Sequence, residues 1–164
     1  MSRPIVGVMG PGEGACLLDL EAAFRLGQLL AEDGWVILSG GRDAGIMREV
    51  NRGAKTVPDS LTIGILPTAS ASVAPGVDIA IVTEMHNARN NINVLSSHVV
   101  IAFGDGGPGT ASEIALALKA GKPVVLLGAD ELSRRFFERL GAGKVLAVAT
   151  PEEAVEAARA FRPA

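Results

Sequence analysis

Short apolar runs recur along the chain, and segments with helical spacing separate them. The runs read PIVGVMG, GWVILSG, LTIGILP, VDIAIVTE, HVVIAFG, KPVVLLG and KVLAVAT. Most are continuously apolar, which is typical of parallel strands buried on both faces. Strands that alternate with helices in this way predict an α/β fold, a doubly wound parallel sheet of about seven strands flanked by helices.

Two of the helices can be placed from their apolar spacing and end signals. The first is predicted to bury a stripe of residues three and four apart: Leu18, Ala22, Leu26, Leu29 and Leu30. Gly34 supplies its stop, and Pro151 opens the last helix. The apolar stripe of that last helix is Ala154, Val155, Ala158 and Phe161.

The helix written SEIALALKAGK is apolar on nearly all sides. Covering one face of a sheet needs only one apolar stripe, so the surplus indicates a second contact surface. We expect a homodimer or larger homo-oligomer, formed through this helix and the helix after Met85. The alternative is a helix wedged between neighbours of the same chain.

Composition narrows the partners to small molecules. The 164 residues suffice for one domain, and no linker or repeat interrupts them, so we expect a single domain spanning 1–164. A net charge of −3 without a basic run argues against nucleic acid, and no apolar stretch is long enough for a membrane helix. With Cys16 the only cysteine and no signal-peptide pattern in MSRPIVGVMG, we expect a cytoplasmic protein.

Glycine loops follow three of the predicted strands, in GVMGPGEGA, SGGRDAGIM and FGDGGPGT. Ligands of open parallel sheets bind beyond the carboxyl ends of the strands. We therefore expect the first loop (10–15), the second loop (40–45) and the third loop (104–110) to meet at one edge. A glycine loop that opens a helix directs backbone N–H groups and the helix dipole at an anion.

In the first loop, Gly10 and Gly12 fit the spacing of a dinucleotide fingerprint. That fingerprint also requires an acidic residue at the end of the second strand, where this chain has Ser39. An ordinary NAD site is therefore disfavoured, and the two glycines are kept as nucleotide- or phosphate-binding candidates.

The second loop offers both close backbone approach and charge. Gly40 and Gly41 let a ligand come near the backbone, Arg42 and Asp43 could meet a polar ligand, and Gly45 opens the next helix. The alternative is a tight strand-to-helix turn that needs glycine for its conformation alone.

The third loop is the strongest candidate for an oxyanion. Gly106, Gly107 and Gly109 let the backbone fold around the anion, and the Thr110 hydroxyl could donate to it. Thr110 and Glu113 also match a capping box, so the functional interpretation requires Glu113 to point inward.

The stretch TEMHNARNNINVLSSH concentrates asparagines, which are poor helix formers and suggest a hydrogen-bonding wall. Arg89 is its best phosphate clamp, because a guanidinium matches phosphate oxygens in two-point contact. No cluster has the spacing of a metal site, and no cofactor is expected.

Three motifs in order, SGGRDAGIMREVNRGA, MHNARN and GGPGTASE, resemble the LOG (Lonely Guy) family of Rossmann-like proteins, often labelled possible lysine decarboxylases. The resemblance runs from GVMGPGEGA to GKPVVLL. Characterised members cleave the N-glycosidic bond of cytokinin riboside 5′-monophosphates. The resemblance implies that Arg89 and Glu113 are catalytic and that Gly106, Gly107 and Gly109 bind phosphate. Decarboxylation is not expected, because no lysine is placed for a pyridoxal phosphate Schiff base.

The chain departs from that pattern at several positions. Asn90 stands where the family has lysine, Ser112 replaces a frequent second acid, and Arg42 replaces a third glycine. The proline before the glycine pair is absent. These features resemble a divergent branch that is also similar to the molybdenum cofactor carrier proteins.

Two functions follow. A phosphoribohydrolase would split a purine nucleoside 5′-monophosphate into free base and ribose 5-phosphate, with Arg89 fixing the phosphate or ribose while Glu113 stabilises the oxocarbenium ion or activates water. A carrier would hold a phosphorylated ligand, such as a nucleotide or the molybdenum cofactor, in the same cradle. Asn90 favours the carrier, whereas Glu113 tips the balance slightly to the enzyme.

Overall fold

The computed structural model describes residues 3–104 and 106–163, and within them the chain forms one seven-stranded sheet. The strands are β1 Ile5–Met9, β2 Val36–Ser39, β3 Leu61–Leu66, β4 Ile79–Val82, β5 Val99–Phe103, β6 Val124–Leu127 and β7 Val145–Val148. Every pair of neighbours is parallel, and the order is β4-β3-β2-β1-β5-β6-β7. The predicted doubly wound α/β sheet is confirmed.

The strand order places a switch point at the centre of the sheet. From β1 the chain moves outward through β2 and β3 to β4, and it then returns to the other side of β1 as β5. The connections after β1 and β5 therefore diverge at their carboxyl ends, which is where open α/β sheets bind ligands. The first and third loops follow these two strands.

Helices cover both faces of the sheet. They are α1 Leu17–Glu32, α2 Gly45–Ala54, α3 Asn90–Leu95, α4 Gly107–Lys119, α5 Glu131–Gly141 and α6 Pro151–Arg159, and a 3₁₀ turn spans His86–Arg89. One apolar core joins α1, α2 and α6 to the sheet, and a second joins α3, α4 and α5 to the opposite face. Within the described ranges, no helix combines the length and apolarity needed to cross a bilayer.

The stripe predicted for α1 is wrong at its first position. Leu26 and Leu30 are buried, but Leu18 is 75% exposed in the first turn. The buried face is instead built partly from small residues, because α2 packs unusually close: a Cβ on Gly27 would lie 2.0 Å from the carbonyl oxygen of Val50. The buried stripe of α1 therefore begins after its first turn.

The last helix follows its prediction more closely. Thr150 and Glu153 form a reciprocal capping box immediately around Pro151. Ala154, Val155 and Ala158 are buried, whereas Phe161 lies beyond the helix end and packs partly against the core.

Candidate functional site

A cavity of about 260 Å³ lies at the carboxyl edge of the sheet, and residues of all three glycine loops line it. The loops thus meet as expected, although Asp105 of the third loop lies outside the described residues. The predicted site residues that line the cavity are Gly10, Gly12, Gly40, Arg42, Arg89, Asn90, Gly106, Gly109, Thr110 and Glu113.

Four predicted binding residues, Gly41, Asp43, Gly45 and Gly107, do not line this cavity. Gly41 adopts φ +70°, and a Cβ there would lie 2.7 Å from the Cα of Gly64. Gly107 adopts φ +76° at the start of α4, and Asp43 forms a long 3.9 Å ion pair with Arg48. Their observed roles are to shape the second loop and the entrance to α4.

Gly45 is required where two backbones meet. A Cβ there would lie 2.0 Å from the carbonyl oxygen of Gly12, and its φ is +48°. The next amide, of Ile46, donates a 3.0 Å hydrogen bond to the Pro11 carbonyl. A Cβ on Gly10 would in turn lie 2.7 Å from Ile46 Cγ1. The first loop is therefore fastened directly to the start of α2.

Ser39 secures the second loop from beneath. Its buried hydroxyl accepts hydrogen bonds of 3.2 Å from both the Gly41 amide and Asn51 Nδ2. Asn51 Nδ2 also donates to the Met47 carbonyl at 2.7 Å. The position at which an NAD-binding strand carries its ribose-binding acid thus serves a structural bond here.

Residues 67–78 support the second loop from its other side. The Ala74 amide donates to the Gly41 carbonyl at 2.8 Å, and the Asp43 amide donates to the Ser72 carbonyl at 2.9 Å. An antiparallel bridge pairs Arg42 with Val73 between these two bonds. The backbone that carries Arg42 is therefore fixed, while its side chain extends over the cavity.

Arg89 is the half-buried cation of the site. Its Nη1 donates a 2.7 Å hydrogen bond to the Ile65 carbonyl at the end of β3. A Cβ on Gly40 would lie 2.6 Å from the same nitrogen, so glycine is needed there to admit the guanidinium. Burial lowers the pKa of Arg89, the charge of Glu113 opposes that shift, and the charge of Arg42 adds to it.

Glu113 points inward from the second turn of α4 and is buried. Its Oε1 accepts a 3.0 Å hydrogen bond from Asn93 Nδ2 on α3. Burial raises the pKa of Glu113 to about 7, against the opposing effects of the Asn93 hydrogen bond and the Arg89 charge. A carboxyl with this pKa exists in both protonation states near neutral pH, so it is suited to proton transfer.

The capping-box interpretation of Thr110 and Glu113 is wrong. The helix begins at Gly107 with Gly106 as its N-cap, which places both residues inside α4. Thr110 Oγ1 donates to the Gly106 carbonyl at 3.0 Å. The hydroxyl proton is thus engaged, and Thr110 would have to rotate before it could donate to a phosphate.

Asn90 lies at the entrance to α3 and contacts α4. Its Nδ2 donates a 3.0 Å hydrogen bond to Ser112 Oγ, which donates at 2.7 Å to the Gly109 carbonyl. A neutral pair therefore stands where the LOG pattern has a lysine and a frequent second acid.

Asn87 belongs to the predicted hydrogen-bonding wall, whereas other lining residues were not predicted from the sequence: Val8, Met9, Pro11, Glu13 and Met47. Glu13 forms an ion pair with Arg42 across the mouth of the cavity. Its position between Gly12 and Gly14, on a loop expected to contact a ligand, could have marked Glu13 as a candidate site residue. Nothing in the sequence marked Met47 as a lining residue, because its place in the cavity depends on how α2 packs beneath the first loop.

Comparison with known proteins agrees with this fold. The SLOG cluster4 family model matches residues 3–155. A molybdenum cofactor binding protein of Rippkaea orientalis is 52% identical, with 98% of each chain covered and a TM-score of 0.92. The molybdenum cofactor carrier protein of Chlamydomonas reinhardtii is 48% identical, with 97% of this chain and 98% of its own covered and a TM-score of 0.90.

A protein of Archaeoglobus fulgidus is also similar, 41% identical over an alignment of 160 residues, with 92% of this chain and 91% of its own covered. The predicted resemblance to a divergent LOG branch close to the molybdenum cofactor carriers is confirmed. With the family model matching nearly the whole chain, this protein belongs to the SLOG cluster4 family.

Proposed function

We propose that this protein binds a small phosphorylated ligand in the cavity between the three glycine loops and holds it without cleaving it. The ligand that its solved relatives indicate is the molybdenum cofactor, a phosphorylated pterin. The observation that carries the choice of carrier over hydrolase is the neutral Asn90–Ser112 pair, in which Asn90 stands where the LOG pattern has its lysine.

Arg89 and the start of α4 form the phosphate cradle. Arg89 is anchored through Nη1 to the Ile65 carbonyl and lines the cavity. Among the described residues, no side chain caps α4 at its N-cap Gly106, and the first amides of a helix lack intrahelical acceptors. A Cβ on Gly109 would meet no atom within 4 Å apart from the backbone of its own helix turn, so this position is open to a ligand. Open amides at a helix N-terminus and a guanidinium are the groups that hold phosphate in proteins.

The remaining lining suits a flat, partly polar ring. Met9 and Met47 are 2% and 6% exposed and give the cavity an apolar floor, and thioether side chains adapt well to aromatic surfaces. Asn87 and Asn90 add side-chain amides that can hydrogen-bond ring heteroatoms. The cavity is close to the lower end of the roughly 300–1,000 Å³ typical of small-molecule sites.

Retention of the cofactor tests this function. The protein is mixed with molybdenum cofactor released from a molybdoenzyme, passed through a gel-filtration column, and analysed for molybdenum and for the oxidised pterin. We expect both to elute with the protein in about equimolar amounts. Elution of the protein without either would overturn the proposal.

A second candidate function is hydrolysis of a nucleoside 5′-monophosphate, which Glu113 favours. Its carboxyl has a pKa of about 7 and shares the cavity with Arg89. As the bond between C1′ and the base breaks, the carboxylate would stabilise the positive charge on the sugar. Water would then supply the hydroxyl to C1′ and a proton to the departing base.

Base release distinguishes the two candidates. The protein is incubated with a panel of purine nucleoside 5′-monophosphates, and free base is measured by chromatography. A carrier releases none. Release by the wild type that is lost in Glu113→Gln would establish the hydrolase instead.

A further inference from the structure

Two guanidinium groups line the cavity, and they come from different elements. Arg42 extends from the second loop, and Arg89 ends the 3₁₀ turn that precedes α3. Their charges interact, because Arg42 contributes to the lowered pKa of Arg89. The buried carboxyl of Glu113 can offset part of the positive charge of the two arginines. Because its pKa is about 7, it is only partly ionised at neutral pH. Glu13, which also lines the cavity, offsets the charge of Arg42, so a second anionic group would find an unbalanced guanidinium there once Glu13 is displaced.

The two guanidinium groups occupy separate positions. Arg42 Nη1 lies 3.5 Å from the place a Cβ would take on Gly12, whereas Arg89 Nη1 lies 2.6 Å from the corresponding place on Gly40. The Met47 side chain reaches both places, with its Cε 3.2 Å from the first and its Sδ 2.6 Å from the second. The buried Met47 thioether is therefore close to both guanidinium groups.

Arg42 already binds an oxyanion. Glu13 Oε1 is paired with Arg42 Nη2, and the Glu13 side chain is 75% exposed in a short turn between Gly12 and Gly14. Exposed ion pairs contribute only about 0–1 kcal/mol. An external phosphate, which carries more charge and more acceptor oxygens than a carboxylate, could displace Glu13 from this position.

We infer that the ligand of this cavity carries two anionic groups, one held by Arg89 and the start of α4, the other held by Arg42 after it displaces Glu13. This inference rests on the proposed function, which requires only one phosphate. It narrows the ligand to molecules with a diphosphate or with two separated anionic groups. It also makes Glu13 an internal competitor for the second group.

Three nucleotides that share one base test the inference: AMP, ADP and adenosine 3′,5′-bisphosphate. Each is titrated calorimetrically, at one fixed salt concentration, into the wild type, Arg42→Ala and Arg135→Ala. Arg135 is 74% exposed on α5, pairs with Glu131 and does not line the cavity, so it controls for the loss of one surface arginine. ADP carries its two phosphates next to each other, whereas the bisphosphate carries them on different ribose carbons. Comparing the two shows whether the site prefers adjacent or spaced anionic groups.

We expect at least one of the two bis-anionic nucleotides to bind the wild type about tenfold more tightly than AMP, as for one added charge-assisted contact. Arg42→Ala removes that advantage, so it weakens binding of the bis-anionic ligand by a clearly larger factor than binding of AMP, while Arg135→Ala changes nothing. Glu13→Gln, which removes the competitor, raises the affinity for the bis-anionic ligand and not for AMP.

Other outcomes overturn the inference. If the protein retains the molybdenum cofactor but binds all three nucleotides equally, binds none, or loses affinity for all three by the same factor in Arg42→Ala, the second anionic position is wrong and the proposed function stands. If neither the cofactor nor any nucleotide binds, both fail.

Discussion

Asn90 donates a hydrogen bond of 3.0 Å to Ser112, and so two positions at which this chain departs from the LOG pattern are in direct contact. Ser112 in turn donates a hydrogen bond to the Gly109 carbonyl in the first turn of α4. The two departures therefore form one neutral link between α3 and α4, where the LOG pattern has a lysine and a frequent second acid.

This link predicts coupling between the two positions. Asn90 is 9% exposed, so Asn90→Lys places a charge in a nearly buried site and should lower the free energy of unfolding by about 1–3 kcal/mol. Ser112→Asp supplies a partner, and the double variant should recover about 1 kcal/mol relative to the sum of the single changes. Urea unfolding of the four proteins measures this coupling, and simple additivity would show that the two side chains act independently.

Glu113 predicts a pH-dependent stability. Its pKa rises to about 7 in the folded protein from an ordinary 4.5, so between these values the folded state binds more protons than the unfolded state. The stabilisation is fully present below pH 4.5 and is lost as the pH rises through 7, by about 3 kcal/mol at 1.36 kcal/mol per pH unit.

Glu113→Gln isolates this contribution, because glutamine keeps an oxygen for the Asn93 hydrogen bond and does not titrate. Relative to the wild type, the variant should gain about 3 kcal/mol of unfolding free energy between about pH 4.5 and pH 8. Urea denaturation at both pH values checks this. A constant difference between the two proteins would mean that the carboxyl titrates normally in the fold.

Gly109 separates ligand binding from folding. A Cβ there would meet no atom within 4 Å, and Gly109 lies in the first turn of α4 and lines the cavity. Gly109→Ala should therefore keep or slightly raise the Tm, because alanine favours the helix, while its methyl group takes space needed by the phosphate. We expect at least about tenfold weaker nucleotide affinity by calorimetry. Unchanged affinity in a normally folded variant would move the phosphate away from α4.

Exposed apolar residues predict self-association. Ile79 and Ile81 on edge strand β4 are 45% and 44% exposed, and Ile79 pairs in register with Ile63, which packs against the core beneath α3 and α4. Leu95 on α3 is 54% exposed. This apolar face extends the surface predicted from α3 and α4, and covering it with a second copy would remove it from water.

Light scattering coupled to gel filtration should give at least twice the chain mass of 16.8 kDa. Ile81→Glu should dissociate the oligomer, whereas Leu132→Glu, at a 78% exposed position on α5, should not. A wild type that elutes as a 16.8 kDa monomer at micromolar concentration would contradict this prediction.

The strands and the loops at their ends were predictable, because a continuous apolar run followed by glycines has few alternatives to a buried parallel strand that ends at a turn. Leu18 was mispredicted, since spacing alone cannot show that the first turn of α1 lies outside the core. The start of α4 was also misplaced, because Gly107 begins the helix where sequence favours a loop.

Contacts between the loops could not be predicted from the sequence. Gly45 looked like a ligand residue, but its observed role is to let the second loop meet the carbonyl of Gly12. The pairing of Glu13 with Arg42 joins residues 29 positions apart in the chain, and no local pattern encodes it. Arg89 and Glu113 were identifiable because the motif fixes their residue types, while their burial and the raised pKa of Glu113 required the fold.

Retention and transfer of the molybdenum cofactor test the central claim most directly. Wild type, Arg89→Ala and the control Arg135→Ala are each loaded with cofactor, passed through gel filtration, and mixed with a cofactor-free molybdoenzyme whose recovered activity reports intact cofactor. We predict that the wild type and Arg135→Ala retain and deliver equal amounts of cofactor. Arg89→Ala should retain at least about tenfold less cofactor than the wild type. Equal retention by Arg89→Ala and the wild type, or recovery of cleaved cofactor from the wild type, would contradict the account.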